Sequence, residues 1–175
     1  MTLDLERLRE VHPDLPEEIA THYALCAAAA LFVGAHEPGV SMSLDLASQT
    51  IQHALAWRAR VENDFAHLDM NRATENGAEA IALAVVGAHR VQWRLVRRLQ
   101  SRLGERGDWL FEEESTGIAF EISGTIGGDL ETLAREKLAQ ASSSPVASRA
   151  AACVVRFREP RAIFMESTAD ADGAA

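Results

Sequence analysis

The stretch Gly107-Asp108-Trp109-Leu110-Phe111, then Glu112-Glu113-Glu114-Ser115-Thr116, then Gly117-Ile118-Ala119-Phe120-Glu121-Ile122-Ser123 decides the fold of this chain. Two runs of alternating apolar residues flank an acidic turn, the pattern of a hairpin with one buried side. With the turn at Glu113 to Thr116, Glu112 pairs with Gly117 and Asp108 falls opposite Glu121. Trp109, Phe111, Ile118, Phe120 and Ile122 then share one apolar face, and the other face carries the two acids. Opposed side chains on a sheet have Cβ atoms about 5 Å apart, near enough for two carboxylates to hold one hard cation, Mg2+ or Mn2+. Like charges so placed are destabilising unless a cation intervenes. The alternative is a solvated acidic pair on the outer face of a hairpin, and a one-residue slip would separate the two.

Downstream, Thr125 to Gly128 leads into a helix expected from Asp129 to about Ala141. Leu130, Ala134, Lys137 and Ala141 fall on one stripe of it. A lysine within an apolar stripe either snorkels to the helix edge or meets an anion, and Glu121 on the preceding strand is the natural partner. Gln140 lies one turn on. Ser142 to Pro145 reads as a loop, Ala151 to Phe157 as a buried strand ended by Pro160, and residues 166–175 as a frayed tail. A strand that follows a helix joins the sheet by a right-handed crossover.

Upstream, residues 60–103 read as helical, with interruptions near Asn71 or Gly77. Gly77, Ile81, Ala84, Ala88, Leu95 and Leu99 follow helical spacing. Glu75 and Glu79, one turn apart, share a face. Arg90, Arg94, Arg97 and Arg98 lie on the side away from the apolar stripe, either as a solvated face or as a grip on phosphates. Before that, a short helix near Leu3 to Glu10 gives way at Pro13. Asp14 is placed to cap a helix from Leu15 to Val33 that stops at Gly34, and its alanines suit close packing against a neighbour. Val40 to Leu44 and Ser48 to Trp57 read as strands. The whole is an α/β (α+β) chain with a mixed central sheet flanked by helices. Residues 1–58 form an N-terminal helix and strand extension, and 60–165 the core of a single domain.

The 175 residues carry a net charge of −9, which opposes sequence-independent binding to polyanions except through a local basic face. Two cysteines, Cys26 and Cys153, sit far apart in apolar runs without CxxC spacing, as buried thiols in a reducing cytoplasm do. No membrane segment is expected. The six histidines form no metal-spacing motif, His67 with Asp69 being the nearest to a pair, and there is no GxSxG elbow or phosphate loop. Trp57, Trp93 and Trp109 are expected as core or interface anchors.

An Asp, then a Glu at the centre of the next strand, then a helix and a buried strand resembles the core of the PD-(D/E)XK, or restriction-endonuclease-like, nuclease superfamily over roughly residues 74–158. The resemblance implies a metal-dependent phosphodiesterase acting on nucleic acid. Asp108 and Glu121 would bind Mg2+ or Mn2+, and Glu75 or Glu79 would match the helical acid of some members. The motif lysine, two positions after the Glu, is Ser123 here. Some members carry it on the next helix, where Lys137 stands, with Gln140 beside it to position water. A chain of this acidity would work within a bacterial defence or repair assembly, with a protein partner or as a homo-oligomer. The alternative is an inactive member of the fold serving as an acidic structural or adaptor subunit.

Overall fold

A computed structural model of the chain describes residues 1–167. Its strands are β1 (Thr2–Asp4), β2 (Ser41–Leu46), β3 (Gln49–Ala56), β4 (Arg94–Arg98), β5 (Trp109–Glu113), β6 (Thr116–Thr125), β7 (Arg149–Arg156) and β8 (Arg161–Glu166). They form one mixed sheet in the order β1-β3-β2-β8-β7-β6-β5-β4. Four helices pack on it: α1 (Leu8–Val11), α2 (Glu17–Val33), α3 (Met70–His89) and α4 (Leu130–Ser142).

The β5–β6 register is the expected one, with Glu112 opposite Gly117 and Trp109 opposite Phe120. Glu114 and Ser115 both have positive φ, 47° and 68°, the two-residue turn that matches the twist of a hairpin. Strand parity sends Phe111, Ile118, Phe120 and Ile122 into the main core with α2 and α3. It sends Ala119 to the opposite face, where it packs with Ala141 and Leu138 of α4. Strand β7 runs parallel to β6, and α4 connects the two.

The register stops one residue short of the acidic pair. The Asp108 amide donates to the Phe120 carbonyl at 2.8 Å, and the Asp108 carbonyl accepts from Leu99 at 2.9 Å. Gly107, at φ 107°, turns the chain where an L-residue would be strained. Asp108 is therefore not directly opposed to Glu121; its carboxylate turns to the edge of β6.

Other expectations are corrected as well. Helix α3 passes Gly77 without a break, is capped by Asp69 and ends at His89, so Arg94 to Arg98 is a strand, not helix. A bulge between Leu95 and Arg97 shifts the strand's parity, so Leu95 packs in the main core while Leu99 is buried on the opposite face with Ala119 and Ala141; their spacing alone mimics a helical turn. Glu166 belongs to β8 rather than to a tail; residues 168–175 lie outside the described residues. At the N-terminus, Thr2–Asp4 is a strand parallel to β3, and α2 starts after Pro16 with no side-chain cap from Asp14.

Helix α2 meets α3 at close range. A Cβ on Gly77 would lie 2.9 Å from the Ala27 Cα, nearer than side chains tolerate, so the alanines of α2 and Gly77 together set the spacing. Farther along α3, the His89 and His53 Nε2 atoms are 2.9 Å apart, and His53 Nδ1 faces the Met1 carbonyl at 3.3 Å. If His53 Nδ1–H donates to that carbonyl, His89 must donate to His53. Among the described residues no helix is long and apolar enough to cross a membrane.

Gly77→Val is expected to lower unfolding stability by about 1–3 kcal/mol through overpacking, read by denaturant titration of tryptophan fluorescence. Burial lowers the pKa of both His53 and His89, so below the unfolded value, about 6.5, the unfolded chain binds more protons. Stability is then present above that pH and falls as the pH drops through it. The fall should be shallower in His89→Gln, measured by thermal melts between pH 7.5 and pH 5.

Candidate metal and phosphodiester site

Strand β6 outruns β5. It leaves β5 after Phe120 but continues beside β7 to Thr125. Along the uncovered edge two carboxylates replace the missing strand. Asp108 Oδ2 accepts the Ile122 amide at 2.8 Å, and Glu75 Oε2 accepts the Gly124 amide at 3.1 Å. Glu75 also receives Ser123 Oγ at 3.5 Å. It can reach the strand because α3 lies directly on β6: a Cβ at Gly124 would stand 2.2 Å from the Thr74 carbonyl oxygen.

Glu121, 4% exposed, accepts a hydrogen bond from Lys137 Nζ at 2.9 Å. Helix α4 delivers that ammonium from the side of the sheet opposite α3. Asp129 caps its first turn by accepting the Glu131 and Thr132 amides, and Leu130, Ala134 and Ala141 fix the helix by burial. Lys137 is the chain's only lysine; every other one of its 17 basic residues is arginine. Arginine keeps its charge in a broad planar fork, whereas lysine is a compact ammonium able to release a proton.

The cluster is electrostatically tense. Burial, and then the Asp108 charge, raises the pKa of Glu121 despite its bond to Lys137. Burial raises that of Asp108 despite the Ile122 amide and the nearby Arg98 and Lys137. Burial pulls Lys137 down, but Glu121, Asp108 and Glu75 outweigh it and the net shift is upward. Negative charge is thus in excess over the single ammonium.

Glu79 is placed differently from Glu75. It faces the core side, where the Trp109 indole N–H donates to one oxygen and Arg98 to the other at 3.1 Å. Arg98 in turn donates to Tyr23 and lies 5.4 Å from the Trp109 ring centre. Burial, and then the Asp108 charge, pushes Glu79 up to about 7. It braces the hairpin from behind. Gln140 is exposed on α4, and among the described residues no bond joins its side chain to Lys137 or Glu121. Its carbonyl accepts from Ser143.

The four arginines do not make a free basic face. Arg90 pairs with Glu166, Arg94 with Glu112, Arg97 with Glu105 at 2.6 Å, and Arg98 with Glu79. The Arg97 bond is strong enough to hold Glu105 down at about 2. Cys26 and Cys153 are buried free thiols, and Asp69 serves α3 as its cap rather than pairing with His67.

No family model, curated protein or solved structure matches this chain. Its own chemistry must speak for the site. Among the described residues no group of three or more His, Cys, Asp or Glu side chains gathers as a metal cage. The donors on offer are Asp108 and Glu121, with Glu75 along the same strand edge.

Asp108→Asn keeps an acceptor for the Ile122 amide and removes one of the crowded charges. It is expected to raise the melting temperature at pH 8, by about 2–4 °C if it relieves roughly 1 kcal/mol. The folded pKa of Asp108 lies above its unfolded value, so the charge penalty exists only once the folded carboxyl ionises. The gain should vanish near pH 3.5, where both states are protonated; equal melts at pH 8 would show that the cluster carries no strain.

Proposed function

We propose that this chain is a metal-dependent phosphodiesterase acting on nucleic acid, with a restriction-endonuclease-like core and a site built from Asp108, Glu121, Lys137 and Glu75. The observation that carries this reading is Lys137: the chain's only lysine is bonded to a buried glutamate at 2.9 Å beside a second, crowded carboxylate. A solvated helix face would not demand that residue type there.

Element order supports it. Asp108 stands at the head of β5, Glu121 at mid-strand in β6, and α4 and the parallel, buried strand β7 follow. The donor set suits Mg2+ or Mn2+, because magnesium is commonly held by one or two carboxylates, the remaining positions going to water and substrate phosphate. Asp108 and Glu121 would hold it, and burial, with the charge of Asp108 acting on Glu121, raises both pKa values, a tension that a bound cation would relieve. A divalent cation there supplies charge neutralisation for the phosphoryl oxygens and a lowered pKa for an attacking water. The protein's own groups do the positioning. The Ile122 amide fixes Asp108, Glu121 anchors Lys137, and the ammonium offers a hydrogen bond to water or to charge developing on phosphate. Glu75, exposed, is the carboxylate with open access to solvent water.

A second reading, an inactive fold serving as an acidic structural or adaptor subunit, draws on Ser123 at the motif lysine position and on the internally neutralised arginines.

The purified protein should cleave single- or double-stranded DNA or RNA only when Mg2+ or Mn2+ is added. Asp108→Ala or Glu121→Ala should abolish cleavage in a folded protein. Lys137→Met should lower the rate by about 10²–10³, the loss typical of a group that stabilises transition-state charge, and Lys137→Arg should not restore it. A folded protein showing neither cleavage nor heat of Mn2+ binding in calorimetry would leave the adaptor reading.

A further inference from the structure

Beside the carboxylate cluster, a cleft of about 730 Å³ opens between the first turns of α3 and the loop that follows β6. Glu75 belongs to both, since it lines the cleft and bonds the Gly124 amide, so the cleft adjoins the candidate site through that carboxylate. Three features of the lining point to a ligand. Arg72 is exposed and takes part in none of the ion pairs among the described residues, unlike the four arginines of the β4 region. Ile126, 50% exposed, presents an apolar surface with nothing packed over it. Asn71 and Asn76 add amides, the latter 3.0 Å from His22. The loop wall is preformed, because Thr125 Oγ1 donates to the Gly127 carbonyl at 2.5 Å and accepts the Gly127 amide at 3.2 Å.

A cation, an apolar plate and amides around a space in the size range of small-ligand pockets match one nucleotide unit: phosphate, base face and base edge. They do not match the side of a duplex. A duplex is gripped by rows of unpaired cations tracking its phosphates. This chain has a net charge of −9, and its arginine-rich strand is turned onto its own carboxylates.

We infer that the substrate is a short or terminal single-stranded nucleic-acid segment, seated one nucleotide deep in this cleft with Arg72 on its phosphate and Ile126 against its base. The inference deepens the phosphodiesterase reading and rests on it for what the bound phosphate is there for, but binding itself can be measured without metal.

The test is binding of a 5′-phosphorylated trinucleotide, and of a duplex of related sequence, by fluorescence anisotropy in EDTA. The trinucleotide should bind at least tenfold more tightly than the duplex. Arg72→Gln should weaken it about tenfold and lower the slope of log affinity against log salt by about one. Ile126→Ser should weaken it without changing that slope. Both positions are exposed, and matching melting curves check that the variants fold. Duplex binding as tight as the trinucleotide, no binding of either, or two variants indistinguishable from the parent would overturn the assignment. Trinucleotide binding with no metal-dependent cleavage keeps the cleft and removes the chemistry. Cleavage with an unchanged KM in Arg72→Gln keeps the chemistry and removes the cleft.

Discussion

At Gly124 helix α3 rests on strand β6 without an intervening side chain, and the rest of the arrangement follows from that contact. Gly124 has no room for a Cβ beneath the Thr74 carbonyl, and on a neighbouring face α3 also lies close against α2 at Gly77. The helix is clamped between a strand and a second helix by missing side chains. Its acidic residues are consequently fixed in height over the sheet: Glu75 reaches the strand edge, and Glu79, one turn on, enters the core above Trp109. Larger residues at either glycine would lift the helix and carry both acids with it.

Local pattern made the hairpin legible. Alternation and an acidic turn set its register correctly, and the stripe on α4 pointed Lys137 at Glu121, which the structure joins at 2.9 Å. What failed was whatever depended on interruption of a pattern. Leu95 and Leu99 stand four apart, so a strand read as helix, and no local pattern showed that a bulge sends them to opposite faces. Glycine at 107 bent the chain just before Asp108, so a carboxylate expected on the sheet face caps an edge amide instead. The arginines looked like a solvated row because their acidic partners, Glu105, Glu112 and Glu166, come from elements whose pairing no local pattern reveals. One compositional feature lies outside any such pattern: a single lysine in a chain that otherwise uses arginine.

The charges divide the molecule. On β4 and β8 acids and bases neutralise one another, some at the surface, as Arg94 with Glu112, where such pairs contribute little to stability, and others, as Arg97 with Glu105, with the acid buried. At the end of β6 three carboxylates share one ammonium, and the field there is unbalanced by construction. Neutral residues at those positions are expected to serve stability better, and that expectation underlies the proposal of a site there.

The central pairing of β2 with β8 has a consequence for how the chain assembles. Strands β1 to β3 are made well before β8, yet they attach to the rest of the sheet only through residues 161–164. That is a connection of very high contact order. Until residues 161–164 have been made, β2 must wait as an open edge. Folding should therefore be slow and late to complete, and the waiting hairpin is the segment a chaperone would most usefully cover.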